Sequence, residues 1–153
     1  MKLPAVVQKG IRAIIYRDSN QLDEAILDLG RFPDHQLCLA GLLRESVYAE
    51  FAAGVTLLLN VGAQATIADL SLAIRKRRSD IVQSLRSPTL MEILAPSLSD
   101  ESFIFAIQTV EPSSWRQYSK LTDNRMRNTD PELKAKVAKW LADYIYDEAD
   151  SSA

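Results

Sequence analysis

Residues 55–85 read VTLLLNVGAQATIADLSLAIRKRRSDIVQSL, and this segment carries the clearest structural pattern in the chain. An apolar run begins at Val55 and is followed by Gly62, where a left-handed residue ends a helix at little cost. A second apolar run ends in four consecutive cations, and Ser79 opens a third run. The pattern predicts one helix, a turn, and then two helices joined by the basic turn.

Helical periodicity also extends on both sides of this segment. Leu22, Ile26 and Leu29 repeat at the spacing that lines one face of a helix. Strand signals are poor, because no Gly-containing two-residue hairpin turn and no sustained apolar-polar alternation occurs. We therefore predict an all-α fold. The predicted helices lie near residues 4–16, 19–29, 36–46, 48–60, 68–77, 79–86, 89–95, 99–110, 112–121 and 130–148.

The last predicted helix, residues 130–148, follows a polar stretch at 122–129 that reads as a loop. Pro131 suits the first turn of a helix. One stripe of this helix is apolar, which indicates that it packs on the rest of the chain as a capping helix. The stripe consists of Leu133, Val137, Trp140, Leu141, Tyr144 and Ile145. Residues 149–153 are expected to be a disordered tail.

Small-then-large apolar pairs recur before short linkers. Ala13-Ile14 precedes Asp18, and Ala73-Ile74 precedes Ser79-Asp80. Ala106-Ile107 precedes Glu111-Pro112 in the same way. Successive helical hairpins at a spacing of roughly 30 residues are typical of a solenoid.

The central segment resembles part of an ankyrin repeat. Residues 55–63 look like the second helix of such a repeat and its Gly-Ala exit, residues 68–74 like a first helix, and residues 79–85 like the next second helix. The sequence departs from the family in having no Thr-Pro-Leu-His tetrapeptide and in the short distance from Gly62 to Ala73, so the projecting hairpin of that family is reduced or missing.

The resemblance implies an ankyrin-like solenoid of three to four short repeats within a single domain, residues 1–153. Helical hairpins would occupy residues 1–121, and the C-terminal helix would close the array. Another helical-hairpin superhelix and a compact irregular bundle are the alternative folds.

Composition narrows the functional classes. The chain has 153 residues, a net charge of -2 and one cysteine, Cys38, so no intramolecular disulfide can form. The slightly acidic charge disfavours wholesale wrapping by nucleic acid. The first residues lack a signal-peptide apolar stretch, and the longest apolar run, residues 51–61, is about half a membrane span. We expect a cytoplasmic protein without a membrane partner.

No residue pattern predicts a catalytic site. His35 and Cys38 lie three residues apart, but nothing nearby suggests a group to orient the base or to bind an oxyanion. Two candidate ligands are too few for a zinc site. The acidic pairs at Asp23 and Asp100 stand at predicted helix starts, where they favour the helix dipole. The prediction is a protein without catalytic residues, metal or cofactor.

The candidate binding residues are the basic cluster Arg75, Lys76, Arg77 and Arg78 and the aromatic residues Trp115 and Tyr118. The cluster is interpreted in three ways: as a solvated turn whose cations stabilise a helix end, as a contact for an acidic protein surface, or as a phosphate contact for nucleic acid. Trp115 and Tyr118 lie in an otherwise polar helix, so one of them is a candidate exposed anchor.

The predicted function is a non-enzymatic protein-protein interaction module. Its partner would be another protein with an acidic surface, and the chain would be a monomer or part of a heteromer with that partner. A small single-domain binder of this kind suits an inhibitor or immunity (antidote) protein. The alternative is a nucleic-acid-associated regulator that uses Arg75 to Arg78.

Overall fold

Helices make up all the regular structure that is described. The computed structural model describes residues 2–110, 114–127, 131, 132, 134, 135, 138, 139 and 142, except for the side chains of Trp115 and Met126. No strand occurs in these residues, so the all-α prediction is confirmed. Every helix in them falls short of the length or apolar character that a membrane crossing requires.

The chain divides into two compact units, Met1–Arg86 (unit 1) and Ser87–Ala153 (unit 2), where the sequence predicted a single domain. Unit 1 contains three helical hairpins. They are α1 (Leu3–Ile15) with α2 (Ser19–Leu29), α3 (His35–Tyr48) with α4 (Ala52–Asn60), and α5 (Ile67–Arg75) with α6 (Ser79–Leu85).

The hairpins of unit 1 stack in sequence order. Helix α1 contacts α3, and α3 contacts α5, so the first helices of the hairpins form one layer. Helix α2 contacts α4, and α4 contacts α6, so the second helices form the other layer. The predicted break between residues 46 and 48 is wrong, because α3 continues to Tyr48 and α4 begins only at Ala52.

Small residues let the helices approach closely. Ala13, Ser46 and Ala73 occupy the same place near the ends of α1, α3 and α5, and each is 0% exposed. Gly54 of α4 lies in a crowded place, because an added Cβ atom would lie 3.1 Å from Oγ of Ser46 on α3 and 2.5 Å from Cδ2 of Phe51, the residue before α4. A larger residue at Gly54 would therefore collide with the end of α3 and with the turn that follows it.

The turns and caps of unit 1 follow from local sequence. The Asp18 side chain accepts a hydrogen bond from the Gln21 N–H at 3.1 Å and caps α2. Gly62 has the predicted left-handed conformation, with φ of 102°. Gly30, which follows α2, has a right-handed φ of -58°, so its place at a helix end does not depend on the left-handed conformation.

A buried carboxylate fixes the start of α5. Asp69 is 1% exposed, and its side chain accepts hydrogen bonds from the Thr66 N–H at 3.0 Å and from Arg44 Nε at 3.2 Å. The Thr66 Oγ1 accepts a bond from the Asp69 N–H in return, which completes a capping box. Because Arg44 lies on α3, this network also links the second hairpin to the third.

Unit 2 begins with α7 (Pro88–Leu94), a 3-10 helix (Ala95–Ser97) and α8 (Asp100–Gln108), and continues with α9 (Trp115–Met126). Helix α9 contacts both α7 and the 3-10 helix. The Arg125 guanidinium ties α9 to the start of α8 through the Leu98 carbonyl at 3.1 Å and Asp100 at 2.7 Å.

Two predictions for the C-terminal part have different outcomes. The loop predicted at residues 122–129 is wrong over 122–126, which continue α9. As a loop residue Thr122 would be exposed, but it is buried, and its hydroxyl donates a hydrogen bond to the Tyr118 carbonyl at 2.9 Å. Several described residues between 131 and 142 are helical, but most of the predicted capping helix at 130–148, including Trp140, Leu141 and Tyr144, lies outside the described residues.

Candidate functional site

The three hairpin turns of unit 1 share one backbone conformation. Each contains a residue other than glycine with positive φ: Arg17 at 54°, Glu50 at 56° and Arg77 at 57°. In each turn the next residue donates its N–H to the carbonyl five residues earlier, and that carbonyl belongs to Ala13, Ser46 or Ala73. A left-handed conformation costs a residue with a Cβ atom about 1–2 kcal/mol, so the same cost recurs at three equivalent positions.

Arg17 joins the first turn to the second. Its Nη1 donates to the Glu50 carbonyl at 3.0 Å, and its Nη2 donates to the Ala49 carbonyl at 2.8 Å. Both carbonyls stand at the C-terminal end of α3, where the helix dipole concentrates negative partial charge. The guanidinium therefore supplies hydrogen bonds to carbonyls that the helix leaves without intrahelical partners.

Arg78 joins the third turn to the second from the other side. Its Nη1 donates to the Glu50 carbonyl at 3.1 Å, and two of its nitrogens bind the carboxylate of Asp80 at 3.1 and 2.9 Å. This hydrogen-bonded pair lowers the pKa of Asp80 below its ordinary value and raises the pKa of Arg78. Arg78 is also 3.8 Å from a carboxylate oxygen of Glu50, so it is committed to the fold of unit 1.

Aromatic and cationic side chains project from the joined turns. Tyr16 and Tyr48 are 76% and 65% exposed, and Ile15 beside them is 67% exposed. The Lys76 ammonium lies over the Tyr48 ring, 4.8 Å from its centroid, which is a cation-π contact between the third and second turns. We call this surface the turn edge, and it consists of Ile15, Tyr16, Tyr48, Arg75, Lys76 and Arg77.

The predicted basic cluster divides into two parts. Arg75 and Arg77 are exposed on the turn edge, and Lys76 is half-buried against Tyr48. Arg78 was predicted to be an exposed contact, but its side chain is only 34% exposed and is bound to Asp80 and Glu50. Its role in holding the turns together corrects that prediction.

The predicted aromatic anchors belong to unit 2. Tyr118 is 1% exposed and cannot touch a partner, which corrects its assignment as a contact residue. Trp115 begins α9, and its side chain lies outside what the structure describes.

Sequence reasoning missed Tyr16 and Tyr48 as exposed residues of the hairpin turns, and it missed that Tyr48 lies against Lys76 of the basic cluster. An alignment of Ala13-Ile14 with Ala73-Ile74 would have shown that Tyr16 occupies the position in the first hairpin that Lys76 occupies in the third. The position of Tyr48 could not be found in this way, because the second hairpin has Ser46-Val47 where the first and third hairpins have an Ala-Ile pair.

His35 and Cys38, the other residues considered for catalysis or metal binding, both lie on α3. His35 Nδ1 donates to the Phe32 carbonyl at 2.9 Å, and Cys38 is a half-buried free thiol. In the described part of the chain, no group of three or more His, Cys, Asp or Glu side chains could hold a metal ion.

A cavity of about 390 Å³ opens in unit 2. Arg125 contributes to its wall, but its guanidinium is bound to Asp100 and the Leu98 carbonyl. The lining consists of Glu92, Ala95, Pro96, Leu121, Asn124 and Arg125. Three of these residues, Glu92, Asn124 and Arg125, are polar or charged.

Comparison with known proteins gives no relative on which to model this surface. No family model, no curated protein and no solved structure matches the chain.

Proposed function

We propose that this protein is a non-enzymatic interaction module whose turn edge binds an acidic surface of another protein in the cytoplasm. The carrying observation is that Tyr16 and Tyr48 are exposed at the hairpin turns of unit 1, and that the Lys76 ammonium of the third turn lies over the Tyr48 ring. Tyrosine and arginine are enriched among the residues that contribute most to the binding energy of protein interfaces, and tyrosine presents a large contact area with little loss of conformational freedom. An inhibitor or antidote, which works by covering a partner, suits this activity.

The arrangement of unit 1 supports an ankyrin-like solenoid as the framework. Residues 55–85 span α4, the following loop, α5 and α6, which correspond to the elements of the resemblance. The segment Thr66-Ile67-Ala68-Asp69 opens α5, where that family has Thr-Pro-Leu-His, and its first residue is the cap. The loop from Val61 to Thr66 is too short for a projecting hairpin, so the hairpin turns are the natural contact surface.

The proposal is tested by affinity capture on the full chain with matched charge reversals. The edge variant is Arg75→Glu/Lys76→Glu, and the control is Lys2→Glu/Arg31→Glu, which changes two other exposed cations of unit 1. We expect one protein to be retained by the wild type and the control, and about tenfold less by the edge variant. Far-ultraviolet circular dichroism and thermal melts establish that all three chains fold alike.

Equal retention of the same protein by all three chains would refute the turn edge as its binding site. If no protein is retained in stoichiometric amount, the interaction function itself fails. For an inhibitor, the activity of the captured protein should also fall in proportion to the chain added.

A second candidate is binding of single-stranded nucleic acid. The observation that favours it is the same pair of exposed tyrosines, because aromatic side chains beside cations are the platform on which bases stack. The net charge of -2 opposes it. Binding of an oligo-uridylate that falls steeply with salt, and is abolished by Tyr48→Ala, would favour this candidate.

A further inference from the structure

The turn edge changes character along its length. The first helix of each hairpin ends at an equivalent residue, which is Ile15 in α1, Tyr48 in α3 and Arg75 in α5. The residues that follow these three are Tyr16, Ala49 and Lys76. The first two turns therefore present apolar and aromatic side chains, and the third presents cations. A partner that covers all three turns needs the complementary order, apolar at one end and acidic at the other.

Arg75 and Lys76, two cations of the third turn, are available to such a partner. Asp80 and Glu50, two acids beside this turn, are both engaged by Arg78. Within the described part of the chain, no salt bridge holds Arg75 or Lys76. An acidic group that approaches these two cations therefore does not have to displace an existing carboxylate.

The edge is also held in place before any partner arrives. Arg17 and Arg78 both donate to the Glu50 carbonyl, at 3.0 and 3.1 Å, and so join the three turns through the middle one. Lys76 adds its contact with the Tyr48 ring. A preorganised surface loses little conformational freedom on binding, which favours affinity for a short ligand.

The spacing of the turns sets the length of that ligand. Packed helices lie about 8–10 Å apart, so three neighbouring turns extend over roughly 16–20 Å. An extended chain rises about 3.3 Å per residue, so about five or six residues span the edge.

We propose that the turn edge binds an extended acidic segment of another protein. The apolar or aromatic residues of this segment pack on Ile15, Tyr16 and Tyr48, and at least two carboxylates pair with Arg75 and Lys76. The inference rests on the proposed function and specifies its partner: a short two-part peptide, apolar then acidic in either chain direction, with no folded domain required for recognition.

The test is selection from a display library of random peptides of about 12 residues on the full chain, which leaves several residues beyond the span of the edge. We expect the selected peptides to contain an apolar block next to an acidic block. A synthetic selected peptide should bind about tenfold more weakly to Arg75→Glu/Lys76→Glu and to Tyr16→Ala/Tyr48→Ala. Binding to Lys2→Glu/Arg31→Glu should change less than about twofold.

The two edge variants separate the contributions of charge and packing. Peptide affinity for the wild type should fall as salt rises, whereas in the charge-reversed variant it should no longer fall and should rise slightly, because salt then screens a repulsion between the peptide and the carboxylates introduced by Arg75→Glu/Lys76→Glu. In Tyr16→Ala/Tyr48→Ala the affinity should fall while the salt dependence remains. This difference assigns the acidic block to the third turn and the apolar block to the first two.

Three results would overturn the inference. The first is a set of selected peptides without an acidic block, and the second is equal affinity of a selected peptide for the wild type and both edge variants. The third is tighter binding of an oligo-uridylate of about 15 nucleotides than of any peptide, at physiological salt and through the same residues. Failure of a selected peptide to displace a captured protein that depends on Arg75 and Lys76 would overturn the extended segment alone and leave the proposed function intact.

Discussion

The contact between Gly54 and the Phe51 ring allows a stability prediction with an internal control. Gly41, in α3, is exposed and has no atom within 4 Å of an added Cβ, whereas a Cβ on Gly54 would meet the Phe51 ring at 2.5 Å. Replacing glycine by alanine inside a helix stabilises it by about 0.5–1 kcal/mol, because the unfolded chain loses freedom. Gly41→Ala should therefore raise the free energy of unfolding by about that amount.

Gly54→Ala receives the same helical gain but also forces the Phe51 ring to move. Phe51 is 6% exposed, so its ring has little room, and overpacking of this kind costs about 1–3 kcal/mol. The free energy of unfolding of Gly54→Ala should therefore lie about 1–3 kcal/mol below that of Gly41→Ala. Adding Phe51→Leu should recover part of this difference, since the atoms that collide are removed.

Native-state hydrogen exchange of the α3 and α4 amides is the assay, because it reports on unit 1 separately from the rest of the chain. Wild type, both alanine variants and the Phe51→Leu double mutant are compared under identical conditions. Equal stabilisation by Gly41→Ala and Gly54→Ala would refute the close approach. A difference that persists unchanged with Phe51→Leu would show that the ring is not its cause.

The remaining predictions concern buried polar groups and the arginine links. Ser46 Oγ is buried without a hydrogen-bond partner in the described residues, so Ser46→Ala, which matches Ala13 and Ala73, should raise the free energy of unfolding by about 1 kcal/mol, measured by urea denaturation. Asp69→Ala should lower it by about 2–4 kcal/mol, because the Thr66 N–H loses its acceptor and α5 its capping box, whereas the exposed control Asp23→Ala should change it by less than about 0.5 kcal/mol. In an NMR titration, the pKa of the Asp80 carboxyl should lie below the ordinary aspartate value, and Arg78→Gln should raise that pKa. The stabilisation of the folded state by this pair is present above the pKa of Asp80 in the unfolded chain, and it is lost as the pH falls through the lower pKa of the folded protein. An Asp80 pKa that does not respond to Arg78→Gln would contradict the hydrogen-bonded pair.

The helices were predictable because their signals are local. Apolar periodicity and capping residues such as Asp18 and Ser87 placed most of the helices within a few residues of their observed ends. The error at residues 46–52 arose where no glycine, proline or cap marks the turn, and the chain turns through Glu50 with positive φ instead. The loop error at 122–126 arose because polar residues were read as exposed, whereas Thr122 is buried with its hydroxyl bonded to the backbone.

The candidate site was predictable only in its charged half. Arg75 to Arg77 are adjacent in sequence, so the cluster was visible. Tyr48 meets Lys76 of the cluster only because the second and third turns are adjacent in the fold, and the sequence pattern did not fix which side chains meet there. The commitment of Arg78 to Glu50 was hidden for the same reason, since its partner lies in another hairpin.

Because the hairpins of unit 1 stack in sequence order, each hairpin is stabilised mainly by its contacts with the adjacent hairpins. The middle hairpin, α3 with α4, packs against a hairpin on each side, and its turn accepts hydrogen bonds from both Arg17 and Arg78. In such an array the free energy is nearly a sum of terms for single hairpins and for the interfaces between neighbours. Local unfolding at one turn therefore destabilises the adjacent hairpin first. A ligand that binds all three turns at once would make the three hairpins unfold together.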